Sequence, residues 1–283
     1  MGGKKCAVAA EDIRRYEVYL YEEEKSPGTI EKYLRDVRSF AAWLDAVPLN
    51  KETVIAWKEH LLTKGYAPST INSMLIAVNH FFRFCHWDAL RVKTIRVQRQ
   101  IFRRRDKDLT KEEYARLLET AQDLGRERLA LLMETICATG IRVSEVRDIT
   151  VEAVQAGRAD IALKGKIRTI LLPGKLCRKL LKYAKKQKTS SGEIFLTKTG
   201  KGMSRRQIWA EMKGICKKAG VAPSKVFPHN LRHLFARTFY KVCRDVVQLA
   251  DVLGHSSVET TRIYLATTGD EYVRRMDRLG LIS

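Results

Sequence analysis

The chain has 283 residues, 45% of them hydrophobic, which is enough for two modest domains with buried cores and excludes a disordered tail. Lysine and arginine total 53 against 32 aspartate and glutamate, so the net charge is +21, and the basic residues recur along the whole length. This excess favours a polyanionic partner, nucleic acid above all, although charge alone would also fit a basic protein without one.

The cysteines and the apolar runs indicate the cellular compartment of the protein. The six cysteines are scattered, with no C-x-x-C pair and no histidine at zinc-ligand spacing, which predicts reduced thiols and no metal site. No uninterrupted apolar run approaches membrane-spanning length, and residues 1–5 are not followed by the apolar core of a signal peptide. We therefore expect a cytoplasmic protein with no membrane contact.

The N-terminal part of the chain shows repeated helical periodicity. Apolar residues recur at helical spacing in residues 11–23, 29–44, 54–62 and 68–87. Turns that contain proline or glycine separate these stretches, so residues 1–90 are predicted to form a four-helix domain with short loops. Phe81, Phe82 and Phe84 follow the helical spacing, which favours packing in the core over stacking on bases.

Polar side chains on the second and fourth of these helices are candidate contacts to phosphates. They are Lys32, Arg35, Arg38, Ser69 and Asn72. Each of them could equally be a solvated side chain.

A basic segment, residues 91–107, follows this domain, and its single acid is Asp106. Its candidate phosphate contacts are Arg96, Arg99, Arg103, Arg104 and Arg105. Like charges at this density repel one another, so we expect an extended linker that becomes ordered along a phosphate backbone and lets two domains close around DNA. A basic localisation signal is the alternative, but it does not explain a position between two domains.

The second domain, residues 108–283, is predicted to begin with a capping box of Thr110 and Glu113. The apolar residues 129–137 predict a buried helix that ends before Arg142, and Arg142 opens the next helix. Glu145 follows three residues later. An arginine at the start of a helix commonly forms a surface ion pair with a glutamate three residues later. Arg142 is therefore either one member of such a pair or a catalytic residue.

A β-hairpin is predicted at residues 160–173, where strand-forming residues flank a Lys-Gly-Lys turn. Either lysine of the turn, Lys164 or Lys166, could contact a phosphate in the minor groove.

Two strongly basic helices are predicted next, at residues 175–188 and 204–218, and we expect both to lie against DNA. Arg205 and Arg206, at the start of the second, are further candidate contacts.

A later stretch carries four chemically active side chains. His229 and Arg232 lie three residues apart behind a proline at the start of a predicted helix, so both face the electropositive helix end that binds anions. Gly254 ends the following helix and places His255 on the corner before the next one. Tyr264 follows about two helical turns later, so the four side chains can converge. Taken singly, each is more commonly a packing residue.

Several motifs occur together in this order. They are S-P-G-T-I-E-K-Y-L-R-D-V-R-S-F-A-A-W-L near the start, A-T-G-I-R-V-S-E-V in the middle, then P-H-N-L-R-H, L-G-H and a tyrosine nine residues after that histidine. The series resembles the core-binding domain and the catalytic boxes of the tyrosine recombinases, the family of phage and transposon integrases and of Xer-type resolvases.

The resemblance implies a mainly α-helical protein with a small β-hairpin or sheet. Residues 1–90 would form a SAM-like core-binding domain, and residues 108–283 an α+β catalytic domain. The residues that match the catalytic positions of the family are Arg142, Lys164, His229, Arg232, His255 and Tyr264. Lys166 is the alternative to Lys164, because the sequence does not settle the register of the hairpin turn.

The implied mechanism is attack of Tyr264 on a phosphodiester, which forms a 3′-phosphotyrosyl link and frees a 5′ hydroxyl. The link retains the bond energy, so no ATP, metal or other cofactor is expected. The supporting roles are general base for His229, phosphate binding for Arg142, Arg232 and His255, and general acid for Lys164.

The implied partner is double-stranded DNA with inverted-repeat core sites. The protein would be a tetramer on two duplexes and a monomer when free, would exchange strands through a Holliday junction, and would exchange a tail at about residues 266–283 between subunits. We favour integration or excision of a mobile element, with Xer-type resolution of chromosome or plasmid dimers as the alternative. A type IB topoisomerase and a non-catalytic DNA-binding regulator are further alternatives. All of these place the chain with the nucleoid.

Overall fold

The computed structural model describes residues 8–45, 47–96, 107–163, 166–255, 257–265, 273–274 and 276–280. The chain divides into two compact units, Met1–Arg99 and Gln100–Ser283. The described part is mainly helical with one two-stranded antiparallel sheet, which confirms the predicted fold class.

Four helices build the first unit, as the apolar periodicity predicted. They are α1 (Ala10–Glu22), α2 (Pro27–Leu44), α3 (Lys51–Thr63) and α4 (Pro68–Phe84). A proline in the first turn begins α2 and α4, and the Asn50 side chain begins α3 by accepting from the Thr53 N–H at 2.8 Å. The predicted packing role of the α4 phenylalanines is confirmed, since Phe81 and Phe82 are fully buried and Phe84 packs against the same core.

After α4, residues 91–96 run back along it and are held by two asparagine side chains. The Asn79 amide donates to Val92 O at 2.8 Å and accepts from the Val92 N–H at 3.0 Å. Asn72 makes the same pair of bonds with Ile95, at 2.9 and 2.7 Å. The first residues of the predicted linker therefore lie on the first unit. The Asn72 amide, a predicted phosphate contact, bonds to this backbone through both its nitrogen and its oxygen.

Hydrogen exchange at single amides tests how this segment is held. The Val92 and Ile95 N–H groups donate to side chains, so both should exchange slowly although they lie outside any helix or strand. Asn72→Ala should release Ile95 and leave Val92 protected, and Asn79→Ala should do the reverse. NMR-detected exchange resolves the two amides. Fast exchange of both in the unmodified protein would show that the asparagine pairs do not form in solution.

The second unit is a helical domain with a hairpin inserted in it. Its helices and strands are α5 (Lys111–Asp123), α6 (Glu127–Thr139), α7 (Val151–Ala156), β1 (Arg158–Leu163), β2 (Lys166–Leu171), α8 (Gly174–Lys186), α9 (Arg205–Lys213), α10 (Pro228–Cys243), α11 (Val246–Leu253) and α12 (Val258–Leu265). Helix α9 is shorter than predicted, because Gly214, a poor helix former, follows it directly. No helix in the described ranges is long and apolar enough to cross a membrane.

The predicted hairpin is present, with β1 and β2 paired antiparallel over their full length. Side chains alternate between the two faces, so that Ile161 and Ile170 are buried while Ile167 is exposed. The turn between the strands, residues 164–165, lies outside the described residues.

Helix α6 supplies much of the core of this unit, as the apolar run predicted, and its end positions the first candidate catalytic residue. It stops at Gly140, whose φ of +65° is left-handed. A Cβ on Gly140 would lie 2.4 Å from the Phe235 ring, so both the turn and the packing require glycine here. The capping box of Thr110 and Glu113 at the start of α5 is also confirmed.

Candidate active site

Arg142 lies at the start of a short 3-10 helix, Val143–Asp148, two residues after Gly140. Its N–H donates to Glu145 Oε2 at 2.7 Å and its Nη1 to Glu145 Oε1 at 2.8 Å. Only 4% of the Glu145 side chain is exposed, against 37% of Arg142. The pair is therefore not an ordinary surface pair, because its carboxylate is buried while its guanidinium borders solvent.

Three successive carbonyls at the end of α11 each accept a hydrogen bond from a different arginine. The pairs are Arg168 Nη2 with Val252 O at 2.8 Å, Arg232 Nη2 with Leu253 O at 2.8 Å, and Arg142 Nη2 with Gly254 O at 3.2 Å. The last carbonyls of a helix have no partner within it and carry the negative end of its dipole, so they stabilise cations. The arginines of the site are therefore collected at this helix end.

Arg232, on α10, is buried and has further partners. It donates to Gly140 O and to Nε2 of His255, the latter at 2.9 Å. Burial lowers the pKa of Arg232, because a charged guanidinium is costly to remove from water. Because an arginine pKa starts far above neutrality, the guanidinium remains charged. The site thus contains a buried positive charge that interacts electrostatically with the candidate nucleophile, Tyr264.

His255 is held between Arg232 and α12. Since a guanidinium can only donate, the His255 Nε2 accepts from Arg232, and the Nδ1–H then donates to Thr261 Oγ1 at 2.8 Å. Burial, together with the charges of the neighbouring arginines, lowers the pKa of His255 to about 4. The imidazole is therefore neutral at pH 7 and has a defined tautomer.

Tyr264, on α12, is 7% exposed and lies among three imidazoles. The distances between ring centroids are 4.2 Å to His233, 5.6 Å to His255 and 5.9 Å to His229. His229 and His233 lie one turn apart on α10 and contact each other at 4.7 Å. The tyrosine is thus fixed by ring packing on more than one side.

The predicted catalytic residues fall into two groups. The structure brings together Arg142, His229, Arg232, His255 and Tyr264. Lys164 lies outside the described residues, and Lys166 begins β2 without a described side chain. Among the residues that the structure describes, no three His, Cys, Asp or Glu side chains are grouped to hold a metal ion.

The predicted DNA contacts also differ in their surroundings. Lys32 is engaged within its own unit, since it donates to Ser73 O at 2.7 Å and pairs with Asp36 at 2.8 Å. Those that are exposed are Arg35, Arg38, Ser69, Arg96, Arg205 and Arg206. Those outside the described residues are Arg99, Arg103, Arg104 and Arg105.

Sequence reasoning missed three residues of the site, namely Arg168, His233 and Thr261. Two of them left a signal. Arg168 lies two residues before Ile170 on the strand, so alternation places a charge on the buried face. His233 follows His229 by four residues and so shares its helix face. Thr261 is recognisable only from its contact with His255.

A small helical domain followed by a larger helical domain, with arginines and histidines gathered around a tyrosine, is the arrangement of DNA strand-transfer enzymes of the integrase type. The chain belongs to the phage integrase family. Residues 107–270 match the Phage integrase family, and residues 13–88 match the description Phage integrase, N-terminal SAM-like domain.

Curated relatives resemble the chain over nearly its whole length. It is 31% identical over 281 residues to the tyrosine recombinase XerA of Thermococcus kodakarensis, with 96% of each chain covered. It is 28% identical over 289 residues to tyrosine recombinase XerA of Pyrococcus furiosus, with 99% of this chain and 97% of the relative covered.

Solved structures share the fold at lower sequence identity. A λ integrase (residues 75–356) dimer bound to a COC′ core site has a TM-score of 0.72 at 17% identity, covering 90% of this chain and 94% of that one. The XerH recombinase in a pre-cleavage complex with its difH substrate has a TM-score of 0.67 at 19% identity, covering 92% and 83%.

Histidine NMR titration tests the electrostatics of the site. His255 should stay neutral with its proton on Nδ1 down to about pH 5 and titrate near pH 4, because its pKa is lowered to about 4. The unfolded chain takes up this proton near pH ~6.5. The contribution of His255 to stability is therefore complete above pH ~6.5 and falls as the pH drops towards 4.

His255→Asn assigns the signal, and it should also reduce the loss of stability between pH ~6.5 and ~4 measured by urea unfolding. His60→Asn, in the first unit, is the control and should leave the low-pH titration in place. A His255 signal that titrates near its ordinary value would contradict the described surroundings.

Proposed function

We propose that this chain is a site-specific DNA recombinase that cleaves and rejoins DNA through a 3′-phosphotyrosyl link at Tyr264. Membership of the family supplies the reaction class, since the family cleaves and rejoins DNA. The observation that carries the assignment of residues is the convergence of Arg142, Arg232 and three imidazoles on one buried tyrosine. A plain DNA-binding regulator would not need this arrangement.

The Tyr264 phenol must be activated, because a free phenol has a pKa near ~10 and is a weak nucleophile at neutral pH. The buried charge of Arg232 lies near this tyrosine and stabilises the negative charge that develops on its oxygen. His229, with its ring 5.9 Å from the tyrosine ring, is the base that accepts the proton. The phenolic oxygen then bonds to phosphorus as the bond to the 5′ oxygen breaks.

Arg142 and Arg232 hold the non-bridging oxygens of the scissile phosphate. Both guanidiniums are already oriented by the end of α11, so little reorganisation is needed when DNA binds. His255 orients Arg232 by accepting its Nη2–H. The direct hydrogen bond from His255 to phosphate that the sequence suggested requires Arg232 to release that contact.

The general acid comes from the hairpin turn. Lys164, with Lys166 as the alternative, donates a proton to the leaving 5′ oxygen. The position of β2 supports the proposal that the hairpin lies near the site. Arg168 on this strand contacts the same end of α11 as Arg142 and Arg232.

The substrate that we propose is double-stranded DNA with inverted-repeat core sites, bound by a tetramer that joins two duplexes through a Holliday junction. The net charge of +21 suits such a polyanion. Solved relatives include a λ integrase tetramer bound to a Holliday junction. A tail at about residues 266–283 would exchange between subunits and couple cleavage to assembly. A DNA substrate of this kind supports a location in the cytoplasm with the nucleoid.

Two biological roles use this chemistry. Integration or excision of a mobile element is the role that we favour from the sequence. Resolution of chromosome or plasmid dimers is the second, and a specific observation supports it, namely the likeness to XerA proteins along nearly the whole chain. Deletion of the gene distinguishes them, since accumulation of chromosome dimers indicates resolution, and loss of excision of a flanking element indicates mobility.

Covalent capture tests the proposed function. Fragmented genomic DNA of the source is incubated with the protein, protein-linked DNA is isolated under denaturing conditions, and the attached ends are sequenced. The protein should be linked to a 3′ phosphate at a recurring sequence. Tyr264→Phe should bind that sequence with unchanged affinity and form no adduct, because only the nucleophilic oxygen is lost.

Tyr240→Phe, on α10, is the matched control and should still form the adduct. Adduct formation by the Tyr264 variant would move the nucleophile to Tyr240 or Tyr272. Joining of two different duplexes separates a recombinase from a type IB topoisomerase, which would only relax supercoils.

A modified substrate identifies the general acid. Lys164→Ala should cleave ordinary DNA slowly, and it should recover on DNA whose 5′ bridging oxygen is replaced by sulfur, since a thiolate leaves without a proton. Single-turnover cleavage of nicked duplexes measures both rates. Recovery of Lys166→Ala alone would transfer the role to Lys166.

A further inference from the structure

The site contains a third arginine, Arg168, which the proposed mechanism does not use. It lies in the middle of β2 on the same face as the buried Ile170, and its side chain is only 13% exposed. An arginine is rarely buried to this extent unless its charge is compensated. Its partners therefore indicate what it does.

Arg168 contacts the same two partners as Arg142, the Glu145 carboxylate and the end of α11. Its Nη1 lies 3.2 Å from both carboxylate oxygens of Glu145, and its Nη2 donates to Val252 O at 2.8 Å. Its Cδ packs so closely on Gly254 that a Cβ there would approach it to 2.2 Å. Arg142 bonds to the same carboxylate and to Gly254 O. The two arginines thus share one acid and one helix end.

Charge balance follows from this sharing. Burial lowers the pKa of Arg168 to about 10, so it remains charged at neutral pH. Glu145, with Arg142 and Arg168 together, carries a net charge of plus one. If Arg142 were the sole partner of Glu145, the pair would be neutral and the guanidinium would be held by a buried carboxylate. With Arg168 present, a full positive charge remains beside the position of the phosphate.

We propose that Arg168 is a positioning residue that neutralises Glu145, so that Arg142 keeps its charge for the scissile phosphate. The proposal rests on the proposed function, because its effect is exerted on DNA cleavage at that site. A purely structural tie between β2 and the end of α11 would use the same contacts. The two cases differ in what happens when the charge of Glu145 is removed as well.

The test is single-turnover cleavage of a nicked duplex that carries the site recovered by covalent capture. Arg168→Met should slow cleavage by about tenfold or more, since a unit charge acting over roughly 10 Å near a protein surface changes a rate by that order. DNA affinity should change by less than about threefold. Arg168→Lys should cleave faster than Arg168→Met, because it retains the charge, but slower than the unmodified protein, because one ammonium cannot replace the contacts of both guanidinium nitrogens.

The decisive variant combines Arg168→Met with Glu145→Gln. Glutamine preserves the acceptor that caps the Arg142 N–H and removes the carboxylate charge. The double variant should therefore cleave faster than Arg168→Met alone and return to within a few-fold of the unmodified rate. Arg158→Met, on β1 with a side chain 64% exposed, is the matched control on the same hairpin and should cleave normally.

Three results would overturn the proposal. They are an unchanged rate for Arg168→Met, a double variant as slow as Arg168→Met, and an Arg168→Lys variant as slow as Arg168→Met. If Arg168→Met alone does not fold, because it leaves a buried carboxylate with one partner, the rates of Arg168→Lys and of the double variant decide the question. Absence of adduct from the unmodified protein would instead refute the proposed function, so the two failures are distinguishable.

Discussion

The end of helix α11 is the constraint on which the catalytic unit depends. Val252, Leu253 and Gly254 present three carbonyls that the helix cannot satisfy internally, and three arginines satisfy them. These arginines come from a 3-10 helix, a strand and α10, which are distant in the sequence. Because each is bonded to the same short backbone segment, the helix end fixes their guanidiniums relative to one another more strictly than separate ion pairs would.

Two glycines make this arrangement possible. Gly140 and Gly254 both have left-handed backbones, with φ of +65° and +61°, and both are approached closely by a side chain from another element. Gly140 accommodates the Phe235 ring, and its carbonyl accepts from Arg232. Gly254 accommodates the stem of Arg168. A side chain at either position would strain the backbone and push away the group that builds the site.

The fold could be predicted because it rests on local signals, and the grouping of Arg142, His229, Arg232, His255 and Tyr264 because these residues lie in short recognisable motifs. Apolar periodicity and proline turns indicated the four helices of the first unit, and the alternation of β1 and β2 indicated the hairpin. Arg168 was not predicted, because its role depends on two partners distant in sequence. Asn72 was assigned to DNA for a similar reason, since a polar residue on a helix gives no indication that backbone from residues 91–96 will use its amide.

The described site carries more positive than negative charge. Among the described residues, Arg142 and Arg168 share the buried Glu145 carboxylate and Arg232 bonds to the Leu253 carbonyl, while the carbonyls of a helix end contribute only about half a negative charge. Burial, and then this excess of positive charge, lower the pKa of His255, because a protonated imidazole would be poorly solvated and repelled by the arginines. In the proposed reaction the phosphate brings a negative charge to this site, and the phenolate that forms as Tyr264 loses its proton brings a second. The proposed transition state carries both charges, so the site would stabilise it more than the bound substrate, which is the condition for catalysis.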